Sequence, residues 1–433
     1  KLGLISILTF IGISLLIGDC VITPAISILS AVEGIRLIPG NEQISQHILI
    51  IIAAAIAIGL FSIQKSGTEK VAGAFGPLMV IWFTVLAASG AYYIHKAPSV
   101  LKAINPIYAF EFLTHNGIAG FFVLSSVILC ATGGEALYTD MGHLGRLPVI
   151  RAWGVVFIAL VINYFGQGAY LIHFPNASHV LFEMVNNESH IIFIPFLTLT
   201  MMASIIASQA MISGIFSIIY QGITTRIMPL FRVDYTSPKL RAQIYIEFAN
   251  WFLMIFVLVI MVVFQSSSHL ATAYGLAVNG SMFITAILML WIFIIRKCYI
   301  KATFASIVLL TNIVFLAANT HKFYTGGYWS VLIALIPFLI ILIYTNGQKK
   351  LYKCLKPIEQ TVFLDRYVKE YEKAYRIRGT ALFFIRDTKM IPPYIANTMF
   401  NNGIIYEDNI FVSIFVCDQP FGVEYSFEED LAI

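Results

Sequence analysis

The stretch LIGDCVITPAISILSAVEG, residues 16–34, belongs to an apolar run that extends over residues 3–32. A membrane-crossing helix needs about 20 predominantly apolar residues, so this run reads as a span with an acid inside it. A charged side chain at mid-bilayer costs at least about 2.5–3.5 kcal/mol, and Asp19 therefore requires a reason. Asp19, Thr23 and Ser27 recur at every fourth position, which stacks three oxygen-bearing side chains on one helix face. Glu33 returns to within about 40° of that face, about 21 Å further along. Pro24 has no N–H, frees the Cys20 carbonyl and predicts a kink. Hydroxyl and backbone oxygens in line with an acid suit a hard, weakly held cation. The competing reading is that the hydroxyls only bond the carbonyls four residues back.

The rest of the chain agrees with a membrane protein. Of 433 residues, 59% are hydrophobic and 12% are charged, where soluble domains carry roughly 25% charge. That excludes an ordinary soluble enzyme, a disordered protein and a disulfide scaffold. Further apolar runs lie near 48–64, 72–94, 118–140, 149–171, 191–222, 246–266, 270–295, 303–319 and 327–345, giving ten expected spans. Residues 1–345 hold 16 Lys/Arg and 11 Asp/Glu, whereas residues 346–433 hold 11 and 12. This shift in charge density marks a domain boundary, with a membrane-spanning part over 1–345 and a soluble tail over 346–433.

Alternate loops differ in basic residues. One set holds Lys65, Lys70, Arg146, Arg151, Arg226, Arg232, Lys239, Arg241, Arg296, Lys297 and Lys301, and the other only Arg36, Lys96, Lys102 and Lys322. The positive-inside rule puts the first set and the tail in the cytoplasm. A basic excess confined to short loops points to topology and away from nucleic acid. The five cysteines, Cys20, Cys130, Cys298, Cys354 and Cys417, have no CxxC or metal spacing and are expected as free thiols. No histidine pair has a metal-ligand pattern. The chain opens at Lys1 and enters its first span at once, so it reads as lacking its own N-terminal portion. In the tail, residues 358–374 read as a helix and 380–385 and 409–416 as strands, separated by Ile391-Pro392-Pro393. This is a small α/β domain that reads as cut off at residue 433.

The fourth run contains SSVILCATGGEALYTDMGHLG, residues 125–145. Thr132 and Glu135 share a helix face, with paired glycines between them. Two glycines cost about 2 kcal/mol relative to alanines in a helix, and unwound backbone at membrane depth is tolerated only beside protein or water. A broken helix with an acid at the break is a way to build a midplane cation site. Two small residues at a helix contact are the plainer alternative. Asn163, Tyr164, Gln167, Ser204, Ser208, Gln209, Ser213 and Asn279 read as hydrogen-bonding contacts between helices.

Several of these strings resemble the Kup/HAK/KT family of potassium-uptake permeases: GDCVITPAISILSAVEG (18–34), FGPLMVIWF (75–83), GGEALYTDMGHLG (133–145), NYFGQGA (163–169), ASQAMISGIFS (207–217) and AYGLAVNGSM (273–282). In the tail, RGTALFF and IPPYIANTMFNN do so as well. Two departures are Cys20, where the family usually has Gly, and Glu247, where Pro is usual. The resemblance implies an all-α polytopic membrane protein of the amino acid–polyamine–organocation (LeuT-like) inverted-repeat fold, plus a small α/β cytosolic domain. It implies twelve helices, of which this chain would hold the third to the twelfth. It implies K⁺ uptake by H⁺ symport in a bacterial cytoplasmic membrane, with no enzyme activity and no cofactor beyond the transported ions.

By the same resemblance Asp19, Thr23, Ser27, Thr132 and Tyr274 bind K⁺, with Glu135 beside Asp19 and Thr132 at the ion, and Glu135 and Glu33 couple the proton. The implied partners are K⁺, H⁺ and membrane lipid, and not nucleic acid. A homodimer and a small-molecule regulator of the tail stay open. An amino-acid or polyamine permease of the same fold is the main rival. A K⁺ channel would need a TVGYG-like filter, and TGGYW (325–329) lacks that pattern.

Overall fold

The computed structural model describes the chain except residues 1, 67–68, 135, 138–144, 236–243, 374, 386–388, 415–424 and 427–433. Eleven helices precede the tail: α1 (Leu2–Glu33), α2 (Gln46–Ile63), α3 (Glu69–Lys96), α4 (Ile107–Val127), α5 (Arg146–His173), α6 (Val180–Glu188), α7 (His190–Thr224), α8 (Glu247–Phe264), α9 (Ser267–Ile295), α10 (Tyr299–Asn319) and α11 (Tyr328–Leu355). All but the short α6 are long and apolar enough to cross a membrane, which makes ten candidate spans. Their outward side chains are largely aliphatic, Ile51, Val80, Val155 and Leu310 among them, as expected where the solvent is hydrocarbon. The chain divides into two compact units, Lys1–Ile223 with Leu230–Ile340, and Thr224–Pro229 with Ile341–Ile433.

In the first unit α1 is the most enclosed element: Val21, Ile22, Ala25, Leu29 and Val32 are completely buried. It packs against α2, α8 and α9, and Pro24 does not end the helix. The α1–α9 contact is close because glycines line it. A Cβ at Gly12 would lie 3.0 Å from Ile284, and one at Gly280 would lie 3.1 Å from Leu15.

The α3–α5 pair is tighter still, since Gly90 and Gly166 let the two backbones touch. A Cβ on Gly166 would fall 2.3 Å from the Gly90 Cα. Asn163 Nδ2 donates to the Leu86 carbonyl at 3.1 Å, and Gln167 Nε2 donates to Asn163 Oδ1 at 2.6 Å. Gln64 and Gln209 pair their amides reciprocally between α2 and α7. Asn163 and Gln209 thus act as contacts between helices, the role expected of them, whereas Gln167 bonds Asn163 within α5.

The fourth span differs from its expected range of 118–140. Helix extends back to Ile107 across Gly117, whose φ of +51° puts a bend there. At the far end the α-helix stops at Val127, and a 3₁₀ turn occupies Ile128–Ala131.

The second unit contains α12 (Gln360–Lys373) and α13 (Pro393–Ala396), with strands β4 (Arg376–Ile385) and β6 (Ile405–Ser413) paired in parallel. Parallel strands need a crossover, and α13 lies in it. The register shifts between Ile377 and Thr380, where Gly379 takes φ +112° and donates its N–H to Glu407 Oε2 at 3.2 Å. Phe363, Ile385, Ile391, Ile395, Met399 and Ile405 form the core. β3 (Ile358–Glu359) pairs with β5 (Met390–Ile391), and a two-residue hairpin, β1 (Asp234–Tyr235) with β2 (Ile244–Tyr245), lies in the first unit.

Gly166→Ala should destabilise the membrane unit by about 3 kcal/mol, because the obstacle is backbone and cannot rotate away. Gly154→Ala on the same helix has open space around its Cβ and should be neutral. Thermal unfolding of both variants in detergent checks this, and equal melting temperatures would refute the contact.

Candidate cation site

Three elements carry the candidate residues: the break after α4, α1 and α9, of which α9 packs against the other two. The α4 helix ends at Val127, Thr132 is extended with φ −102° and ψ 176°, and Gly133 has φ +88°. Helix resumes just beyond, with the Leu137 N–H donating to the Gly133 carbonyl at 3.3 Å. The sequence puts this interruption at the paired glycines for a backbone reason: φ of +88° suits only a residue without a Cβ. A helix C-terminus carries partial negative charge and favours cations within its last turn. Thr132 Oγ1 donates to the Leu129 carbonyl at 3.1 Å, and the Tyr164 hydroxyl donates to the Cys130 carbonyl at 3.4 Å. Glu135 lies outside the described residues.

The second element is α1. Asp19 is fully buried, and Thr23 Oγ1 donates to its carbonyl at 3.0 Å and lies 3.5 Å from its Oδ2. Thr23 thus does what a membrane threonine does by default, and also faces the acid. Ser27 lies one turn further on and is half-buried.

The third element, α9, runs antiparallel to α1. Gly280 meets Leu15 at one end and Ser267 meets Glu33 at the other. The Asp19–Ser27 stretch is therefore level with the part of α9 that holds Tyr274 and Asn279. Tyr274 is buried. Its neighbour Gly275 faces the break, since a Cβ there would lie 3.6 Å from Leu129 Cδ2 and 3.7 Å from the Ser125 carbonyl.

Glu33 is placed differently from the stripe. Its Oε1 accepts the Ser267 backbone N–H at 3.0 Å, and its Oε2 accepts the Ser267 hydroxyl. A carboxylate on the first N–H of α9 complements the positive end of that helix, and it ties α1 to α9.

Sequence reasoning passed over two groups. Asn279 was assigned to helix contacts, yet it is fully buried and neither side-chain amide atom has a hydrogen-bond partner among the described residues. Lys322 was counted as a loop residue, but its ammonium reaches the broken helix and donates to the Ser125 carbonyl at 2.9 Å. Unsatisfied burial and the reach of a long side chain across a loop are invisible in a linear string. Among the described residues Cys130, Cys298 and Cys354 are in no disulfide, and Cys417 lies outside them.

This arrangement defines a class: a multi-pass membrane protein with an interrupted helix and buried oxygen ligands beside it. Residues 1–349 match the K⁺ potassium transporter integral membrane domain, and residues 378–432 match the K⁺ potassium transporter C-terminal domain. A protein from Methanosarcina acetivorans named probable potassium transport system protein Kup is 56% identical over 428 residues, covering 99% of this chain and 71% of that protein. A probable potassium transport system protein Kup 2 from Geobacter metallireducens is 56% identical over 424 residues, covering 98% and 70%. The chain belongs to the Kup potassium transporter family, whose members are multi-pass proteins of the cytoplasmic membrane. This match corrects the expected fold class. The membrane part is the all-helical domain of the potassium transporter family itself, not a member of the amino acid–polyamine–organocation (LeuT-like) class, and a small strand-bearing region follows it.

Asn279→Leu separates two roles for this amide. Replacing an unsatisfied buried polar group by an apolar one of similar shape is neutral or stabilising, so the melting temperature should hold or rise. If Asn279 faces the ion, the apparent KM for Rb⁺ should rise about fivefold. An unchanged KM would remove Asn279 from the site.

Proposed function

We propose that the protein carries K⁺ into the cell, and that its ion is held where α1, α9 and the break after α4 meet. The observation that supports this reading is the interruption at Thr132–Gly133 in a chain of the potassium transporter family, with Gly275 of α9, next to the buried Tyr274, facing the turn that leads into it. K⁺ is bound by oxygen atoms that replace its water, and the candidates are those of Asp19, Thr23, Ser27, Thr132 and Tyr274. The relatives are named as transport proteins, so the chain is read as a carrier rather than an enzyme. A polyamine or amino-acid permease is not favoured by that kinship.

We further propose that uptake is coupled to H⁺ by alternating access. Moving one positive charge inward releases about 2.3 kcal/mol per 100 mV of membrane potential, and a carboxylate that loads a proton outside and releases it inside adds the second gradient. Glu135, three residues past Thr132, is the main candidate. Glu33 offers a physical route to the same end. Its carboxylate accepts two hydrogen bonds from Ser267, so protonation from outside removes negative charge from the end of α9 and loosens the α1–α9 tie. The loop charges place the tail on the cytoplasmic side, where a regulator would reach it.

Expression from the full gene should restore growth of a K⁺-uptake-deficient bacterium on low K⁺, and failure to do so would overturn the assignment. Glu135→Gln should reach the membrane at near-normal levels yet lose acid-stimulated Rb⁺ uptake; normal stimulation would remove Glu135 from the coupling. Thr132→Val, which deletes a ligand and no proton carrier, should raise the apparent KM several-fold, about 1 kcal/mol of ion binding, and leave the pH profile alone.

A further inference from the structure

The loop between α10 and α11 contains a 3₁₀ turn, Thr320–Phe323, that leans on α4. The His321 ring lies 4.5 Å from that of Phe122, centre to centre. Next to it, Lys322 Nζ donates to the Ser125 carbonyl at 2.9 Å and to Ser126 Oγ at 3.2 Å. Both acceptors belong to the last turn of α4, immediately before the interruption. The Lys/Arg distribution among loops places Lys322 on the outer side, so this contact lies on the external approach to the proposed ion site.

A third oxygen faces the same place. Asn319 is fully buried, and its Nδ2 donates to the Phe315 carbonyl at 3.1 Å. Its Oδ1 accepts no hydrogen bond among the described residues. Oδ1 looks onto Gly275, where a Cβ would lie 3.1 Å from it and 3.7 Å from the Ser125 carbonyl. A glycine therefore leaves room at a spot bordered by a backbone carbonyl and an amide carbonyl, next to Tyr274. A buried acceptor left without a donor costs about 1–3 kcal/mol, and a cation would relieve it. Neutral oxygens of these kinds are what K⁺ accepts in place of water. An ammonium is also a monovalent cation, similar in size to K⁺, and it is the charge found on this turn.

We propose that the Ser125 carbonyl, Ser126 Oγ and Asn319 Oδ1 form a second, outer cation position, at whose Ser125–Ser126 edge Lys322 sits as a tethered cation and which incoming K⁺ enters by displacing it. The proposal rests on the reading of the chain as a K⁺ carrier. Lys322 then sets apparent affinity: the ion competes with a ligand of fixed, high local concentration. A merely structural lysine would cap the end of α4 and would not compete.

Lys322→Gln discriminates, because the amide keeps a donor for the Ser125 carbonyl and loses the charge. Expressed from the full gene and assayed in liposomes, Lys322→Gln should lower the apparent KM for Rb⁺ about threefold with little change in kcat. The shift should persist in about 0.3 M choline chloride, where long-range attraction is screened. Lys322→Arg should keep the wild-type KM or exceed it. A wild-type KM in Lys322→Gln, a shift abolished by salt, or a fall in kcat alone that Arg restores would each overturn the proposal. If Lys322→Gln does not reach the membrane, Asn319→Leu serves instead: removing that oxygen should raise KM about threefold, and an unchanged KM overturns the proposal. Rb⁺ uptake by the wild type tests the carrier reading separately, since the proposal concerns only the ratio between variant and wild type.

Discussion

Backbone N–H and C=O groups inside hydrocarbon have no water to bond, and each one left without a partner costs several kcal/mol. Every span of this protein meets that condition as a helix, and α4 alone among the described residues departs from it at membrane depth, with bends at Gly117 and at Thr132–Gly133. The exposed groups at the second bend are taken up locally. Thr132 serves the Leu129 carbonyl, Tyr164 serves that of Cys130 and Lys322 serves that of Ser125. The interruption thus dictates what must surround it: a threonine within reach, a tyrosine from α5 and a cation from a loop. On another side α9 borders the same turn through Gly275, and its glycine-lined contact with α1 holds the two helices close.

Much of this was legible in the sequence. Ten spans follow from length and apolarity, because the bilayer imposes both, and their ends differ from the expected ones by a few residues except at α4 and at the end of α11, which runs past residue 345 to Leu355. There the run Glu111–Asn116 contains a charge, a histidine and an asparagine and reads as loop, yet the structure continues it as helix to Ile107. The break itself was readable, since paired glycines inside an apolar run have few other purposes. The tail's helix and two main strands were readable as well, from the change of period from 3.6 to 2. Their parallel pairing was not, because pairing depends on where the crossover of α13 returns the chain.

The site was half legible. Asp19 and Thr23 stand out because a deep acid and a hydroxyl one turn away can be counted along a helix, and Thr23 indeed faces that acid. Two things could not be read. Glu33 continues the same stripe on a helical wheel, but the structure spends both of its oxygens on Ser267, far away in sequence. Asn279 and Asn319 look like ordinary polar contacts until burial is known, and only then does the lack of a donor or acceptor set them apart. The fold class failed for a different reason. It came from kinship at the level of a superfamily, and neither hydropathy nor helix count can distinguish one arrangement of membrane helices from another.

The charges near the site share one logic. An acid in lipid is tolerable when a cation spends part of its time beside it, and a lysine near the same path is tolerable when oxygens hold it in place. Asp19 is buried on α1, and the Lys322 ammonium rests on the last turn of α4, one short segment before Thr132. The difference lies in their tethers. Asp19 hangs on a short side chain in the most enclosed helix, whereas Lys322 hangs on a four-carbon stem from a loop, and its ammonium is half-buried. Lys322 is thus the more mobile of the two charges, and its ammonium can leave the Ser125 carbonyl without any helix having to move.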